Sequence, residues 1–161
     1  MPSAGRKLVR SAPTSLTLSV QYAIASDRLP SRQRLRSWAR AALLTDAQVT
    51  LRVVGGREGR ALNRNFRGKD YATNVLTFAY PDLEPLCGDI VLCAPVIAKE
   101  ARKQRKQIEA HYAHLVVHGM LHLQGYDHQN KNDARVMETL EAEIVANLGY
   151  ADPYENPVNG E

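Results

Sequence analysis

The chain is short of several features that would mark it for export or a membrane. It holds two cysteines, Cys87 and Cys93, six positions apart. Two thiols are too few to staple a secreted fold, and their spacing is not that of a C-x-x-C motif. Both fall in strand-like surroundings, where buried, inert cysteine is the expected state. No apolar run approaches the ~20 residues of a membrane span. No acidic residue precedes Asp27, and with Arg6, Lys7, Arg10 and several serines the start resembles an organelle transit peptide. Against that, Leu16, Leu18, Val20, Tyr22 and Ile24 alternate strictly with polar or small residues, the pattern of a half-buried strand. Only residues 1–13 are left as a short basic tail. A signal-peptide apolar core is missing too, so the expectation is a cytoplasmic protein with no membrane partner.

What is present suits one domain of 161 residues, 44% hydrophobic and 24% charged. We place it at residues 14–155, followed by a C-terminal tail, 156–161. Single cores usually run to ~100–200 residues, and a core of this size needs no disulfides. The net charge of +4 hides a split. Residues 1–70 carry 14 basic and 4 acidic side chains, net +10, whereas residues 71–161 carry 7 and 13, net −6. A basic half points to a polyanionic partner, nucleic acid first among them, although arginines also simply solvate helix faces.

Periodicity gives the elements. A helix should follow Leu29-Pro30-Ser31, with Ser31 as its cap, Leu35, Trp38, Ala39, Ala42 and Leu43 on one side, and Arg32, Arg34, Arg36 and Arg40 on the others. Those arginines either grip an RNA backbone or only solvate the helix. Val49, Leu51 and Val53 mark a second strand, stopped by Gly55-Gly56. Arg57 to Phe66 reads as a short helix, Arg67 to Asp70 as a polar loop, Asn74 to Tyr80 as a third strand and Asp89 to Cys93 as a fourth. Helices are expected from Pro95 to about Gln104, from Ile108 to Gln124, and from Asp133 to Leu148. The last has Val136, Met137, Leu140, Ile144 and Leu148 on one stripe. Four strands and five helices imply an α+β domain.

All five histidines lie between His111 and His128. His118 and His122 are four apart, so on a helix they project ~40° apart around the axis and ~6 Å apart along it. They can share one ion. His128 would lie ~15 Å from His118 along a continuing helix, but Gly125 permits a left-handed reversal through Tyr126-Asp127 that brings it alongside. Three imidazoles leave a fourth position open, as catalytic zinc sites do, and favour zinc over magnesium. Zinc lowers the pKa of a bound water to ~7. The spacing H-x-x-x-H-x-x-G-x-x-H also occurs in metzincin proteases, which carry a glutamate base directly after the first histidine. Here that position is Gly119. A peptidase would have to draw its base from elsewhere, such as Asp127 or Glu109. His114, one turn before His118, is either a support for the site, a phosphate contact or a packed side chain, and His111 is expected to be structural.

At these residues the chain resembles the YbeY endoribonucleases, bacterial ribosomal RNA maturation factors. His118-Gly119-Met120-Leu121-His122-Leu123-Gln124-Gly125-Tyr126-Asp127-His128 is similar to the family signature H-G-x-L-H-L-x-G-Y-D-H. Asn63 to Asp70 resembles N-x-x-[YF]-R-x-x-D, Thr73 to Phe78 resembles T-[DN]-V-L-[ST]-F, and Gly88-Asp89-Ile90 resembles a G-D-I strand start. The departures, Ala72 and Ala79 where the family usually has proline, lie outside the histidine motif.

The resemblance implies a small mixed four-stranded sheet packed by about five helices, with a metal site at the end of a central helix. It implies zinc-dependent cleavage of single-stranded RNA, in maturing the 3′ end of small-subunit (16S) ribosomal RNA and in ribosome quality control. It carries over His118, His122 and His128 as ligands of one Zn2+ per chain, Arg67 as the functional arginine, and the small ribosomal subunit, one of its proteins and an Era-type GTPase as partners; Arg67 and His118 are the residues expected to be catalytic. Chemistry supports Arg67 in part, since phosphodiester cleavage builds charge on oxygens that a guanidinium fork can hold. The competing reading is a surface arginine paired with Asp70. The other functional classes kept open are a metallopeptidase and a non-catalytic assembly factor with a structural zinc.

Overall fold

A computed structural model describes residues 14–155; the two expected tails, 1–13 and 156–161, lie outside the described residues. The alternating segment at the start forms β1 (Leu16–Tyr22), with Leu16 and Leu18 buried. Ser31 then caps α1 (Arg32–Ala41), its side chain accepting from the Arg34 amide at 3.2 Å. β2 (Ala47–Val54) leads into α2 (Gly56–Arg67), then β3 (Val75–Tyr80), β4 (Leu86–Cys93), α3 (Ala94–Lys103), α4 (Ile108–Leu123) and α5 (Lys131–Asn147). The strands form one mixed sheet in the order β1-β2-β4-β3, with β3 antiparallel to β4 and the other pairs parallel. The α+β expectation of four strands and five helices holds.

Several boundaries differ from the sequence expectation, each for a physical reason. β1 ends at Tyr22 rather than Ile24, after which the Ala23 amide makes one more bond to the Val53 carbonyl. β4 begins at Leu86 rather than Asp89, because Leu86, Cys87 and Gly88 continue the ladder against Ala47, Gln48 and Val49. α2 runs one residue past Phe66, so Arg67 is its last residue and not a loop residue. Gly68 closes it in the left-handed region at φ 72°, where a side chain would be strained. On α5, Val136 is 58% exposed, so it does not belong to the buried stripe its spacing suggested.

The arginines of α1 have work within the fold. β1 is an edge strand, and Arg32 donates to its Val20 carbonyl at 2.5 Å while lying over the Tyr22 ring. Arg36 donates to the Leu18 carbonyl at 3.4 Å, and Arg34 pairs with Glu109 on α4. Covering strand-edge carbonyls with cations blunts an edge that would otherwise template pairing with another chain.

α4 is the axis of the domain. It is apolar around most of its circumference, as a buried helix should be, and it packs against β3, β4, α1, α3 and α5. Two glycines set how closely it lies on the sheet. A Cβ at Gly119 would come within 3.2 Å of Ile90, and one at Gly88 would stand 2.6 Å from a Leu123 methyl and 3.1 Å from the Phe78 carbonyl. At the far end, the Gln124 amide accepts from the Leu44 and Thr45 amides and donates to the Ala42 carbonyl, tying the end of α4 to the end of α1. Gly88→Ala is therefore expected to lower stability by about 1–3 kcal/mol, the usual range for overfilling a packed core. Urea unfolding measures it; wild-type stability in that variant would mean the contact between β4 and α4 is looser than described.

Candidate active site

The end of α4 forms a closed hydrogen-bonded turn. The Gly125 amide bonds the His122 carbonyl at 3.1 Å and the Tyr126 amide bonds the Leu121 carbonyl at 3.0 Å. This is a Schellman arrangement around Gly125, whose φ is 106°. The reversal expected from the sequence is present and brings His128 back to the helix. Ring centroids are 6.3 Å apart for His118–His122, 5.4 Å for His118–His128 and 5.9 Å for His122–His128.

The turn also orients a ring. The Tyr126 carbonyl accepts from His122 Nδ1 at 3.0 Å. His118 Nδ1 donates to Glu141 Oε2 at 2.7 Å. A carbonyl and a carboxylate can only accept, so both histidines carry a proton on Nδ1, which leaves Nε2 as the nitrogen a neutral ring would offer to a ligand. That is the donor chemistry a divalent cation requires, with the other ring nitrogen held as it is in carboxylate–histidine–zinc arrangements. Among the described residues no three His, Cys, Asp or Glu side chains are already drawn tightly enough to hold an ion. The residues fit a cation in identity, tautomer and side of the helix.

Glu141 is the residue that sequence reasoning missed. It lies on α5, fully buried, and accepts from His118, from His114 Nε2 at 2.8 Å and from the Tyr154 hydroxyl. Burial alone would push its carboxyl up; the hydrogen bonds from His114 and His118, together with that from Tyr154, outweigh it and bring the pKa to about 2. Burial and the bond to Glu141 push Tyr154 well above the usual phenol range. The signal was available: Glu141 falls four residues after Met137 and three before Ile144, on the buried side of α5. A carboxylate among apolar positions is retained only when it has partners.

A cleft of about 480 Å³ brings Arg67 together with His118, His122 and His128. Asn74 and Thr77 line the same cleft from the side of β3. Arg67 arrives from the end of α2, across the antiparallel edge of the sheet. The competing reading of Arg67 as Asp70's partner does not hold. Asp70 is taken by Arg60 through two bonds of 2.8 and 3.0 Å and approached by Arg64 at 3.8 Å. His114 lines the cleft, but its Nε2 is committed to Glu141 and its Nδ1 is a buried atom with no partner.

The peptidase alternative finds no base where a metzincin keeps one. Gly119 is buried against Ile90 of β4, so a carboxylate there would enter the sheet rather than the cleft. Glu109 is held by Arg34 and by the Tyr150 hydroxyl, and Asp127 accepts from the His128 amide. Neither lines the cleft.

His111 is structural, as expected: buried, with Nε2 donating to Glu100 at 2.8 Å. Glu100 in turn accepts from Asn74 at 3.0 Å, which links the core to a residue of the cleft wall.

Two outcomes follow from these buried networks. Glu141→Ala strands the ring protons of His114 and His118 and should cost about 3–5 kcal/mol, the range for breaking a buried charged network. Urea unfolding reads this, and a loss below that of an ordinary surface change would show the network to be slack. Burial lowers the pKa of His111, with the Glu100 hydrogen bond opposing in part. A histidine whose folded pKa lies below its unfolded value of ~6.5 leaves the folded state with fewer bound protons. Its stabilising share is present above that value and is lost as pH falls through it. The melting temperature should drop as pH falls from about 8 to about 5, less steeply in His111→Asn. Parallel curves would contradict the assignment.

The family model described as Endoribonuclease YbeY matches residues 25–149. Endoribonuclease YbeY of Aromatoleum aromaticum is 57% identical over 146 residues, covering 89% of this chain and 95% of its own. Endoribonuclease YbeY of Nitrosomonas eutropha is 58% identical over 137 residues, covering 85% of this chain and 97% of its own. The solution structure of TM1509 from Thermotoga maritima matches with a TM-score of 0.54 at 25% identity, over 86% of this chain and 99% of that one. With the histidine motif, Arg67 and the β3 segment all inside the matched span, the chain belongs to the YbeY endoribonuclease family.

Proposed function

We propose that this protein is a single-strand-specific, zinc-dependent endoribonuclease that acts on small-subunit (16S) ribosomal RNA at its 3′ end and in ribosome quality control. The observation that carries the reading is one cleft lined by Arg67 and by His118, His122 and His128. Family membership supports the RNA substrate. It is also what supports the small ribosomal subunit, one of its proteins and an Era-type GTPase as partners, and a cytoplasmic location. Among the described residues no helix is long and apolar enough to cross a membrane.

His118, His122 and His128 would hold the ion through ring nitrogens. A zinc ion bound there supplies Lewis acidity and lowers the pKa of water at neutral pH. The remaining work belongs to the chain. Glu141 fixes the tautomer and orientation of His118, and the Tyr126 carbonyl does the same for His122. Arg67, with no ion pair among the described residues, is free to place its fork on the scissile phosphate and hold the charge that grows on its oxygens. Product ends report the attacking group: a 5′-phosphate if water attacks, a 2′,3′-cyclic phosphate if the neighbouring hydroxyl does.

The test is cleavage of an end-labelled single-stranded RNA. Zinc-loaded wild type should cut it, a chelator should stop the reaction, and His118→Ala should be inactive. Arg67→Ala should lose about 10²–10³-fold in rate, the usual effect of removing one charge-stabilising donor. A wild-type rate no greater than that of His118→Ala with zinc, manganese or magnesium would contradict the proposal.

A further inference from the structure

The sheet has two edges, and the chain treats them differently. On β1, Arg32 and Arg36 cover the carbonyls of Val20 and Leu18. β3 is the other edge strand, and it carries no charged residue from Val75 to Tyr80. The ladder decides which of its backbone groups are free. The Cys93 amide donates to the Asn74 carbonyl at 2.9 Å, so these two residues form a hydrogen-bonded pair. In an antiparallel ladder such pairs alternate with non-bonded ones. In the register of β3 on β4, Leu76, Phe78 and Tyr80 therefore bond to β4, and the amides and carbonyls of Val75, Thr77 and Ala79 turn to the open side.

The first of these outward amides is already used. The Val75 amide donates to the Asn74 side chain at 2.6 Å, and Asn74 is held in turn by Glu100 at 3.0 Å. Among the described residues no hydrogen bond outside the ladder engages the amide or carbonyl of Thr77 or Ala79. Thr77 lines the cleft that holds Arg67 and the three histidines; Ala79, ~7 Å further along the strand, does not. Two free residues are short for an added polypeptide strand, where about 5–6 are usual. One N–H beside one C=O, at the wall of a nuclease cleft, suits a smaller partner. Each of the four RNA bases sets a donor next to an acceptor on its Watson–Crick edge, and that edge is available only when the base is unpaired.

We propose that the outward amide and carbonyl of Thr77 read the Watson–Crick edge of an unpaired base in the strand whose phosphate Arg67 holds. This rests on the reading of RNA as substrate and adds to it a source of single-strand preference. In a duplex the same edge is occupied by the partner base, so Thr77 has nothing to pair with. Because every base offers a donor beside an acceptor, the contact reports pairing and not base identity.

Binding is measured by fluorescence anisotropy with labelled single-stranded oligouridine, with the same oligomer methylated at N3 of every uracil, and with a perfectly paired RNA hairpin. Chelator is present throughout, so that cleavage does not enter. N3-methylation removes the base's donor, and Thr77→Pro removes the protein's. The proline ring replaces an amide hydrogen that the ladder does not use, so pairing with β4 is spared. Thr77→Pro should weaken oligouridine binding by about 3- to 10-fold, the range for one hydrogen bond. Methylation should weaken wild-type binding at least as much, and Thr77→Pro should bind the methylated oligomer as wild type does. Hairpin binding should be the same in both proteins. Thr77→Val, which loses the hydroxyl and keeps the amide, should still discriminate against the methylated oligomer. Ala79→Pro, on the same edge outside the cleft, should bind oligouridine as wild type does.

Wild type that binds both oligomers equally would overturn the proposal and leave the nuclease reading standing, and this arm needs no variant to fold. An equal loss on both oligomers in Thr77→Pro, with thermal melting to report its fold, would also overturn it, since the amide would then act without reading the base. If Ala79→Pro weakens binding as much as Thr77→Pro, or neither does, the pair in the cleft is not the reader; in the second case the open edge is left for an added polypeptide strand. If wild type binds no single-stranded RNA at all, the substrate assignment falls and the inference with it.

Discussion

The site depends on one buried carboxylate. Glu141 is fully buried, yet it stays ionised because His114, His118 and Tyr154 all donate to it. A charge in that position is tolerated only with every partner in place. The same bonds that keep it charged therefore hold α5 and the segment carrying Tyr154 against α4. They also fix which nitrogen of His118 faces the cleft. Stability and ligand orientation are one interaction here, so a change that frees His118 also loosens the helix pair.

The second constraint is how closely α4 can lie on the sheet. Gly119 and Gly88 let the helix and β4 approach to within side-chain contact of Ile90 and Leu123. That approach sets the histidines against the antiparallel β3 edge, over which Arg67 arrives from α2. The two charged halves of the chain meet at this place. The basic half contributes Arg67; the acidic half contributes the histidines and the carboxylate that steadies His118. Much of the remaining basic charge is spent differently. Arg32 and Arg36 cover carbonyls of the β1 edge, so the basic surface facing the cleft is smaller than the net charge of the first half suggests.

What was legible in the sequence is what is local. His118 and His122 follow from helical spacing, and the return of His128 follows from Gly125, because a single left-handed residue is enough to reverse the chain. The α+β class and the helix starts at Ser31 and Pro95 follow from caps and periodicity. What was not legible depends on contacts across the fold. Gly88 falls outside the strand expected from Asp89, yet it is a strand residue emptied of its side chain so that Leu123 can sit there. Glu141 falls at the spacing of the buried side of α5, but its partners His114, His118 and Tyr154 come from elsewhere in the chain. The residues around Arg67 leave a functional arginine and a partner of Asp70 equally open until Arg60 is seen to occupy that carboxylate. Spacing could not decide between solvation and RNA binding for the α1 arginines, because the carbonyls they meet belong to a strand more than ten residues away in sequence.

The central proposal is that His118, His122 and His128, the first two oriented by Glu141 and by the Tyr126 carbonyl, bind one metal ion beside a separate phosphate-holding arginine. Elemental analysis of the purified, dialysed protein tests this most directly. The account predicts one zinc per chain in wild type, loss of that zinc in His122→Ala, and full retention in Arg67→Ala, since Arg67 meets the substrate and not the ion. Wild type free of metal after exposure to zinc, or equal metal content in wild type and His122→Ala, would contradict it.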